Sequence, residues 1–368
     1  MINILYVVST LKRCGPSNQL SYIIKHLDRD RFNPIVLTLS NETEDSYKPF
    51  FTDVLKVEVN TLGLPRLKGL FLVKNEIYKF ILKNEIHIVH SQGIRADGFM
   101  SKISIPTVST LRNYPVYDYC MTYGKVKGWL MAKAHLNFLS KIDAPFACSE
   151  SISNMLLDNL GYKINYIRNG VDLERFNNLN KADLRNKLGL DLNCKVFISV
   201  GHLSSRKAPV TIIKAFKKAN LDNSILLFLG DGNERDDCLN EIGSATNIKI
   251  IGKVSNVHEY LGGSDCFISA SHAEGLPNTV MEAMACSLPC ILSDIPPHQE
   301  IQKLNSSSSL LFSTKSINEL TDSLIKLEKM DAIEMGEAAR SIVEQHLNAK
   351  IMSNNYQEHY LELLENKC

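Results

Sequence analysis

A chain of 368 residues exceeds what one hydrophobic core usually organises, so two domains are expected. Hydrophobic residues at 44% and charged residues at 22% are ordinary globular usage, which excludes a disordered or fibrous chain. The formal net charge is +1, yet residues 1–172 carry 21 Lys and Arg against 15 Asp and Glu, and the remainder 20 against 25; this is too weak for a duplex nucleic-acid binder and suits a first half that meets anionic lipid or a phosphorylated acceptor, although a solvated surface with no partner explains it as well.

The N-terminal Met1-Ile2-Asn3-Ile4-Leu5-Tyr6-Val7-Val8 lacks the basic start of a signal peptide, and no apolar run approaches the ~18 residues of a spanning helix. The expectation is a cytoplasmic protein, at most peripheral on the cytoplasmic face of an inner membrane. Nine cysteines form no C-x-x-C pair and are odd in number, which suggests neither a zinc site nor a disulfide framework.

In chain order, Ile2 to Val8, Ile35 to Leu39, Ile86 to His90, Thr107 to Thr110 and Pro145 to Cys148 read as strands between amphipathic stretches, the βαβ rhythm of a buried parallel sheet. After Asn169-Gly170-Val171-Asp172 the rhythm restarts, with strands at Val196 to Val200, Ile225 to Leu229, Ile248 to Ile251, Cys266 to Ser269 and Cys290 to Ser293. The Ser306 to Ser309 run reads as a loop. Ile351 to Leu364 reads as a helix packed on something, with a return to the first domain as the expectation. The predicted class is α/β with two doubly wound, Rossmann-like domains, 1–170 and 171–348, followed by a helix over 349–368.

In such sheets ligands sit beyond the carboxyl ends of the strands, where helix N-termini offer free N–H groups to phosphates. After the first strand, Gly15 lets backbone approach a ligand and Pro16 suits a first helical turn, although an ordinary turn explains both as well. No G-x-G-x-x-G or P-loop is present, which counts against a dinucleotide oxidoreductase or an ATPase. Gly201-His202-Leu203-Ser204-Ser205-Arg206-Lys207 follows a strand and precedes a helix, so Arg206 and Lys207 are placed to neutralise a diphosphate. The stretch Glu274-Gly275-Leu276-Pro277-Asn278-Thr279-Val280-Met281-Glu282 is Gly-Pro punctuated at its start and opens a helix. Its backbone N–H groups over 275–280 suit an anion, Glu282 suits the vicinal hydroxyls of a ribose, and Glu274 suits a transferred sugar; both glutamates are also explained as first-turn carboxylates favoured by the helix dipole.

Two glutamates separated by seven residues in EGLPNTVMEAMA resemble the signature of family 4 of the retaining GT-B glycosyltransferases. The likeness extends to Gly201 to Lys207, Gly230-Asp231-Gly232, Asn169 to Asp172 and Gly15, and so covers nearly the whole chain. The resemblance implies a GT-B fold, two Rossmann-like domains facing across a cleft, and sugar transfer from a nucleotide-sugar donor. It implies that Lys207 binds the donor diphosphate and stabilises the leaving group, that Glu282 holds the ribose, that Glu274 contacts the donor sugar, and that the amides of Gly275 to Thr279, with Leu276, Pro277 and Asn278 between them, cradle phosphate. Gly15, His202 and Arg206 complete the implied donor site. Lys207 and Glu274 are the implied catalytic residues, with no metal and no cofactor beyond the nucleotide-sugar substrate. His202 stands where many relatives have Arg, and Gln92 stands where a second histidine often faces the reaction centre.

The first domain is then the acceptor side, with His90, Gln92, Arg95, Arg112 and Asn113 at strand exits as the candidate residues, although a histidine that ends a strand, as His90 does, is more often structural than catalytic. Lys125 to Lys133 interleaves basic and apolar residues as a membrane-surface segment does, and a core helix with a solvated edge explains it nearly as well. The expected function is transfer from a UDP-sugar, or second GDP-mannose, to a glycan or polyprenyl-diphosphate-linked acceptor in cell-surface polysaccharide synthesis. A nucleotide-sugar epimerase and a glycan phosphorylase share the fold and remain alternatives, with a non-catalytic sugar-nucleotide binding protein a third.

Overall fold

The computed structural model describes residues 1–63, 69–177, 180–329 and 331–366. The chain divides into two compact units, the first Met1–Gly170 with Ala349–Cys368, the second Val171–Asn348.

In the first unit the elements run β1 (Ile2–Val8), α1 (Gly15–Lys25), β2 (Phe32–Thr38), β3 (Glu58–Thr61), α2 (Gly69–Lys83), β4 (Ile88–Ser91), α3 (Ile94–Met100), β5 (Thr107–Leu111), α4 (Pro115–Tyr123), α5 (Lys125–Leu139), β6 (Ala144–Ala147), α6 (Glu150–Leu160) and β7 (Asn165–Tyr166). The seven strands form one parallel sheet in the order β3-β2-β1-β4-β5-β6-β7. β2 starts three residues before the apolar run that announces it, because Pro34 pairs with Ile4 while β3 pairs only from Ile35 onward, so the missing N–H of Pro34 breaks no bond to β3.

The second unit runs α7 (Lys181–Leu188), β8 (Lys195–Val200), α8 (Pro209–Ala219), β9 (Ser224–Leu229), α9 (Arg235–Ile242), β10 (Ile248–Gly252), α10 (Val257–Gly262), β11 (Cys266–Ser269), α11 (Asn278–Ala285), β12 (Cys290–Ser293), α12 (Pro296–Leu304), β13 (Ser309–Phe312), α13 (Ile317–Lys329) and α14 (Ile333–His346). Its parallel sheet is ordered β10-β9-β8-β11-β12-β13. The strand order reverses between β1 and β4 in one unit and between β8 and β11 in the other, and the crevice beyond the carboxyl ends of such neighbours is where doubly wound sheets bind ligands.

The last helix, α15 (Ala349–Glu365), packs on α1. Its Met352, Tyr356 and Tyr360 join the core built on Ile4, Tyr6 and Ile88. Two polar contacts fix its register: Ser353 Oγ donates to the carbonyl of Ile23 at 2.8 Å, and Gln357 Oε1 accepts from the amide of Asp28 at 2.9 Å. Among the described residues no helix is long and apolar enough to cross a membrane.

Candidate active site

The loop leaving β8 is shaped by glycines. A Cβ on Gly230 would lie 1.9 Å from the carbonyl oxygen of Gly201, and one on Gly232 2.2 Å from that of Leu203, so only glycine lets the turn after β9 press against the loop after β8. Leu203 in turn donates its amide to the carbonyl of Asp231 at 3.2 Å. The loop closes with the amide of Lys207 donating to the carbonyl of Ser204 at 2.8 Å, and Ala208 takes a left-handed conformation, φ 48°, before Pro209 starts α8. A non-glycine residue held there stores strain of about 1 kcal/mol or more. The tight loop aims Lys207 back across the strand ends instead of out to solvent.

There Lys207 meets the loop leaving β11. Lys207 Nζ forms an ion pair with Glu274 Oε1 at 2.6 Å, and Arg206 Nη1 donates to Glu274 Oε2 at 2.9 Å and to the carbonyl of Ala273 at 2.7 Å. The amide of His272 donates to the carbonyl of Arg206 at 2.8 Å, tying the two loops together. The Glu274 side chain is only 8% exposed. Burial works to raise its pKa, but Lys207 and Arg206 outweigh that and hold it at about 2, so it stays an anion throughout the physiological range. Beneath this loop Ser293 Oγ donates to the carbonyl of Ser271 at 2.7 Å, and the buried His298 places Nδ1 2.8 Å from the carbonyl of Ser293. Burial pushes His298 down to about 4, against the pull of Glu274, so the imidazole is neutral.

α11 begins at Asn278, with Pro277 at its cap position and no side-chain cap. Pro277 carries no N–H and Leu276 buries its side chain in the core, so the expected run of amides over 275–279 is interrupted: Pro277 shapes the loop but cannot donate to phosphate. Thr279 and Val280 lie in the first turn, where backbone N–H groups lack helical partners. His202 is exposed at the rim of the β8 loop.

Glu282, the fifth residue of α11, is buried at 7% exposure, and burial pushes its carboxyl up to about 7 although Arg175 and Lys207 pull the other way. An unfolded chain ionises this group near its ordinary 4.5, so folding is opposed increasingly as pH rises from there to 7, by about 3 kcal/mol once both states are ionised. Glu282→Gln is therefore expected to raise the melting temperature at pH 8 and leave it unchanged at pH 4. A pH-independent effect in paired thermal melts refutes this assignment.

In the first unit the structure separates the five acceptor-side candidates. His90 is not available to an acceptor: it is wholly buried, with Nδ1 2.6 Å from Tyr360 Oη and Nε2 2.8 Å from Thr110 Oγ1. Thr110 continues to Tyr356 at 2.6 Å and Tyr360 to Tyr6 at 3.3 Å, so His90 is the centre of a polar chain that fastens α15 to the sheet. Burial lowers its pKa to about 3. Gln92 and Arg112, at the ends of β4 and β5, do meet, with Arg112 Nε donating to Gln92 Oε1 at 3.1 Å and Nη1 to Asn169 Oδ1 at 2.8 Å. Arg95, in the first turn of α3, donates to Ser40 Oγ at 2.5 Å, and Asn113 donates to Asp118 Oδ1 at 3.2 Å. Gly15 is the first residue of α1, which has no acidic residue in its first turn.

Sequence reasoning passed over Gln19, whose amide clamps the backbone of Gly170 by donating to its carbonyl at 2.7 Å and accepting from its N–H at 3.1 Å. It also missed the buried Asp97–His135–Tyr119 chain, with His135 Nε2 2.7 Å from Asp97 Oδ2 and Nδ1 2.7 Å from Tyr119 Oη. That chain anchors the α4–α5 hairpin, in which a Cβ on Gly128 would lie 2.4 Å from the carbonyl of Tyr119. The hairpin exposes Tyr117, Met121, Tyr123, Val126, Trp129 and Leu130. Lys127 lies over the Tyr123 ring at 5.3 Å and Lys133 over the Trp129 ring at 3.9 Å.

Residues 15–175 match the family described as Glycosyltransferase Family 4, and residues 180–345 match that described as Glycosyl transferases group 1. Similar sequences include an Escherichia coli UDP-Gal:α-D-GlcNAc-diphosphoundecaprenol α-1,3-galactosyltransferase, 26% identical over 86% of this chain and 87% of its own. The Escherichia coli O-antigen biosynthesis glycosyltransferase WclY is 22% identical over 98% and 99%. Among solved structures, sucrose-phosphate synthase from Thermosynechococcus elongatus superposes with a TM-score of 0.85 at 16% identity over the whole of both chains, and Anabaena HepE in complex with UDP and glucose with 0.81 at 17% identity over 98% and 99%. The chain therefore has the GT-B fold and belongs to the family 4 glycosyltransferases.

Proposed function

We propose that this glycosyltransferase moves a hexosyl or N-acetylhexosaminyl group, with retention of configuration and without a metal, from a UDP-sugar to a glycan or lipid-diphosphate-linked acceptor in cell-surface polysaccharide synthesis. The observation that carries the reading is the Lys207–Glu274–Arg206 cluster at the switch point of the second sheet, two cations and one permanently ionised carboxylate at the ends of β8 and β11. Lys207 and Arg206 offset the charge that collects on the diphosphate as its bond to the sugar C1 breaks, which is the role a metal plays elsewhere. The departing diphosphate oxygen takes the proton of the acceptor hydroxyl as the new C1–O bond forms on the same face. Glu274 receives hydroxyls of the sugar and Glu282 those of the ribose. Gln92, Arg95, Arg112 and Asn113 of the first unit are assigned to the acceptor. The UDP preference is supported by the UDP-galactose-dependent relative and by HepE bound to UDP.

The test is a screen of UDP-, GDP- and ADP-sugars in EDTA with a sugar-diphosphate-lipid acceptor, scoring product by mass and anomeric configuration by NMR. An α-linked product from an α-linked UDP-sugar is expected. Donor turnover without acceptor indicates an epimerase, dependence on inorganic phosphate indicates a phosphorylase, and loss of activity in EDTA refutes the metal-free reading.

The α4–α5 hairpin is assigned to an anionic membrane surface, with its exposed aromatic and aliphatic side chains at the headgroup boundary and Lys125, Lys127 and Lys133 on the lipid phosphates. Reversing all three to Glu is expected to lower partitioning onto phosphatidylglycerol vesicles by about two orders of magnitude or more, at roughly 1 kcal/mol per lysine. Wild-type protein that does not cosediment with such vesicles removes the assignment.

A further inference from the structure

The cluster at the ends of β4 and β5 has donors without acceptors. Arg112 spends Nε on Gln92 Oε1 and Nη1 on Asn169 Oδ1. Because Gln92 accepts through Oε1, its amide orientation is fixed and Nε2 must act as donor. Both Arg112 Nη2 and Gln92 Nε2 are enclosed and, among the described residues, meet no hydrogen-bond partner. Each of these nitrogens carries two N–H groups and none accepts. Gln92 itself is 7% exposed.

The charge is equally unbalanced. Apart from the neutral Gln92 and Asn169, the titratable side chains that face the Arg112 guanidinium are Tyr356, Cys148, Tyr360, Cys14 and His90, none of them a carboxylate. Burial therefore works against the cation with no anion to offset it, the reverse of the rule that buried charges are paired. Cys14 stands at the start of α1, which has no side-chain cap and no acidic residue in its first turn, so that helix adds positive potential to the same corner. A donor surplus, an uncompensated cation and a helix start without a side-chain cap, all at the switch point of the first sheet, favour an anion rich in acceptor oxygens.

We infer that Gln92 and Arg112, braced by Asn169, form a seat in the first unit for a phosphate-class oxyanion. The seat is argued from the donors and the charge of Arg112; which substrate brings the phosphate, the sugar donor or a lipid-diphosphate acceptor, rests on the transferase reading. Gln92 is then a specificity residue, since a neutral amide leaves Arg112 uncompensated where a glutamate would neutralise it.

The isosteric change Gln92→Glu tests this with little risk to the fold, because the new carboxylate supplies Arg112 with the acceptor it lacks. The probe is inorganic pyrophosphate, measured by calorimetry on the full-length chain carrying Arg206→Ala, Lys207→Ala and Glu274→Gln, which silence the second unit's cations without stranding a carboxylate. This protein is expected to bind pyrophosphate. Adding Gln92→Glu should weaken binding by about tenfold or more, the worth of a charge-assisted hydrogen bond, and raise the ligand-free melting temperature. Arg112→Gln should weaken binding equally. No pyrophosphate binding in the silenced chain, or an affinity indifferent to Gln92→Glu, overturns the seat. In the otherwise unchanged enzyme, a KM rise confined to a lipid-diphosphate acceptor assigns the oxyanion to the acceptor, and one confined to the donor assigns it to the donor. Absence of any transfer would sink the transferase reading while leaving the pyrophosphate result to stand.

Discussion

Lys207→Ala is expected to lower kcat for sugar transfer by about 10²- to 10³-fold, the usual worth of one preorganised charge partner at a leaving group. The ammonium sits on a loop whose shape is set by backbone contacts of Leu203, Ser204 and Gly230, so its removal leaves the loop standing. Glu274 keeps Arg206 at 2.9 Å, which spares it the full cost of an unpaired buried carboxylate, and the melting temperature should move by only a few degrees. Lys207→Arg is not expected to restore the rate, because a planar guanidinium does not replace a compact ammonium at 2.6 Å from a carboxylate held by a second arginine. Stopped-time assays with saturating donor separate kcat from KM. A variant with wild-type kcat would contradict the placement of Lys207 at the leaving group.

The second unit was the more legible half of the sequence because its signals are backbone signals. Gly230 and Gly232 are required by contacts of 1.9 and 2.2 Å and Gly201 is favoured by its φ of 153°, and a position that tolerates no Cβ is visible as a letter. The apolar runs Cys266 to Ser269 and Cys290 to Ser293 coincide with β11 and β12, central strands buried on both faces. Two edge strands were missed for the same reason: β3 and β7 pair on one side only, carry exposed residues and have no continuous apolar run, whereas the edge strand β10 is rich in isoleucine and was read at Ile248 to Ile251. β13 was hidden by its opening serine, since Ser306–Ser308 form a single 3₁₀ turn and Ser309 already pairs with Cys290.

The first unit's polar residues were harder to read, because their roles depend on partners far away in sequence. Nothing beside His90 announces Tyr356 and Tyr360, which lie more than two hundred residues downstream on α15, so a histidine ending a strand stayed among the acceptor candidates although such a residue is more often structural than catalytic. The pairing of Gln92 with Arg112 is of the same kind, and only the count of donors against acceptors around it reveals what is missing. Pro277 is a different case, a residue that belongs to the motif yet has no N–H to give.

Glu274→Gln is expected to move two measurements in opposite directions. The side chain keeps its shape but loses its charge, so transfer should fall by about 10²-fold as the sugar loses a strong acceptor oriented for the transition state. Without a sugar, the comparison reverses. In the unliganded site Glu274 holds both Lys207 and Arg206, the two cations assigned to the diphosphate, and an incoming nucleoside diphosphate must compete with that carboxylate for them. Removing the negative charge frees the cations and removes a like-charge neighbour, so UDP alone should bind about tenfold more tightly, the size of one charge-assisted hydrogen bond no longer contested. The nucleotide-sugar gains less, because it exchanges the released ion pairs for hydroxyls donated to the same carboxylate. Calorimetry with UDP and with the intact donor separates these terms. If UDP affinity falls along with turnover, Glu274 serves to orient Lys207 and Arg206 and does not compete with phosphate for them.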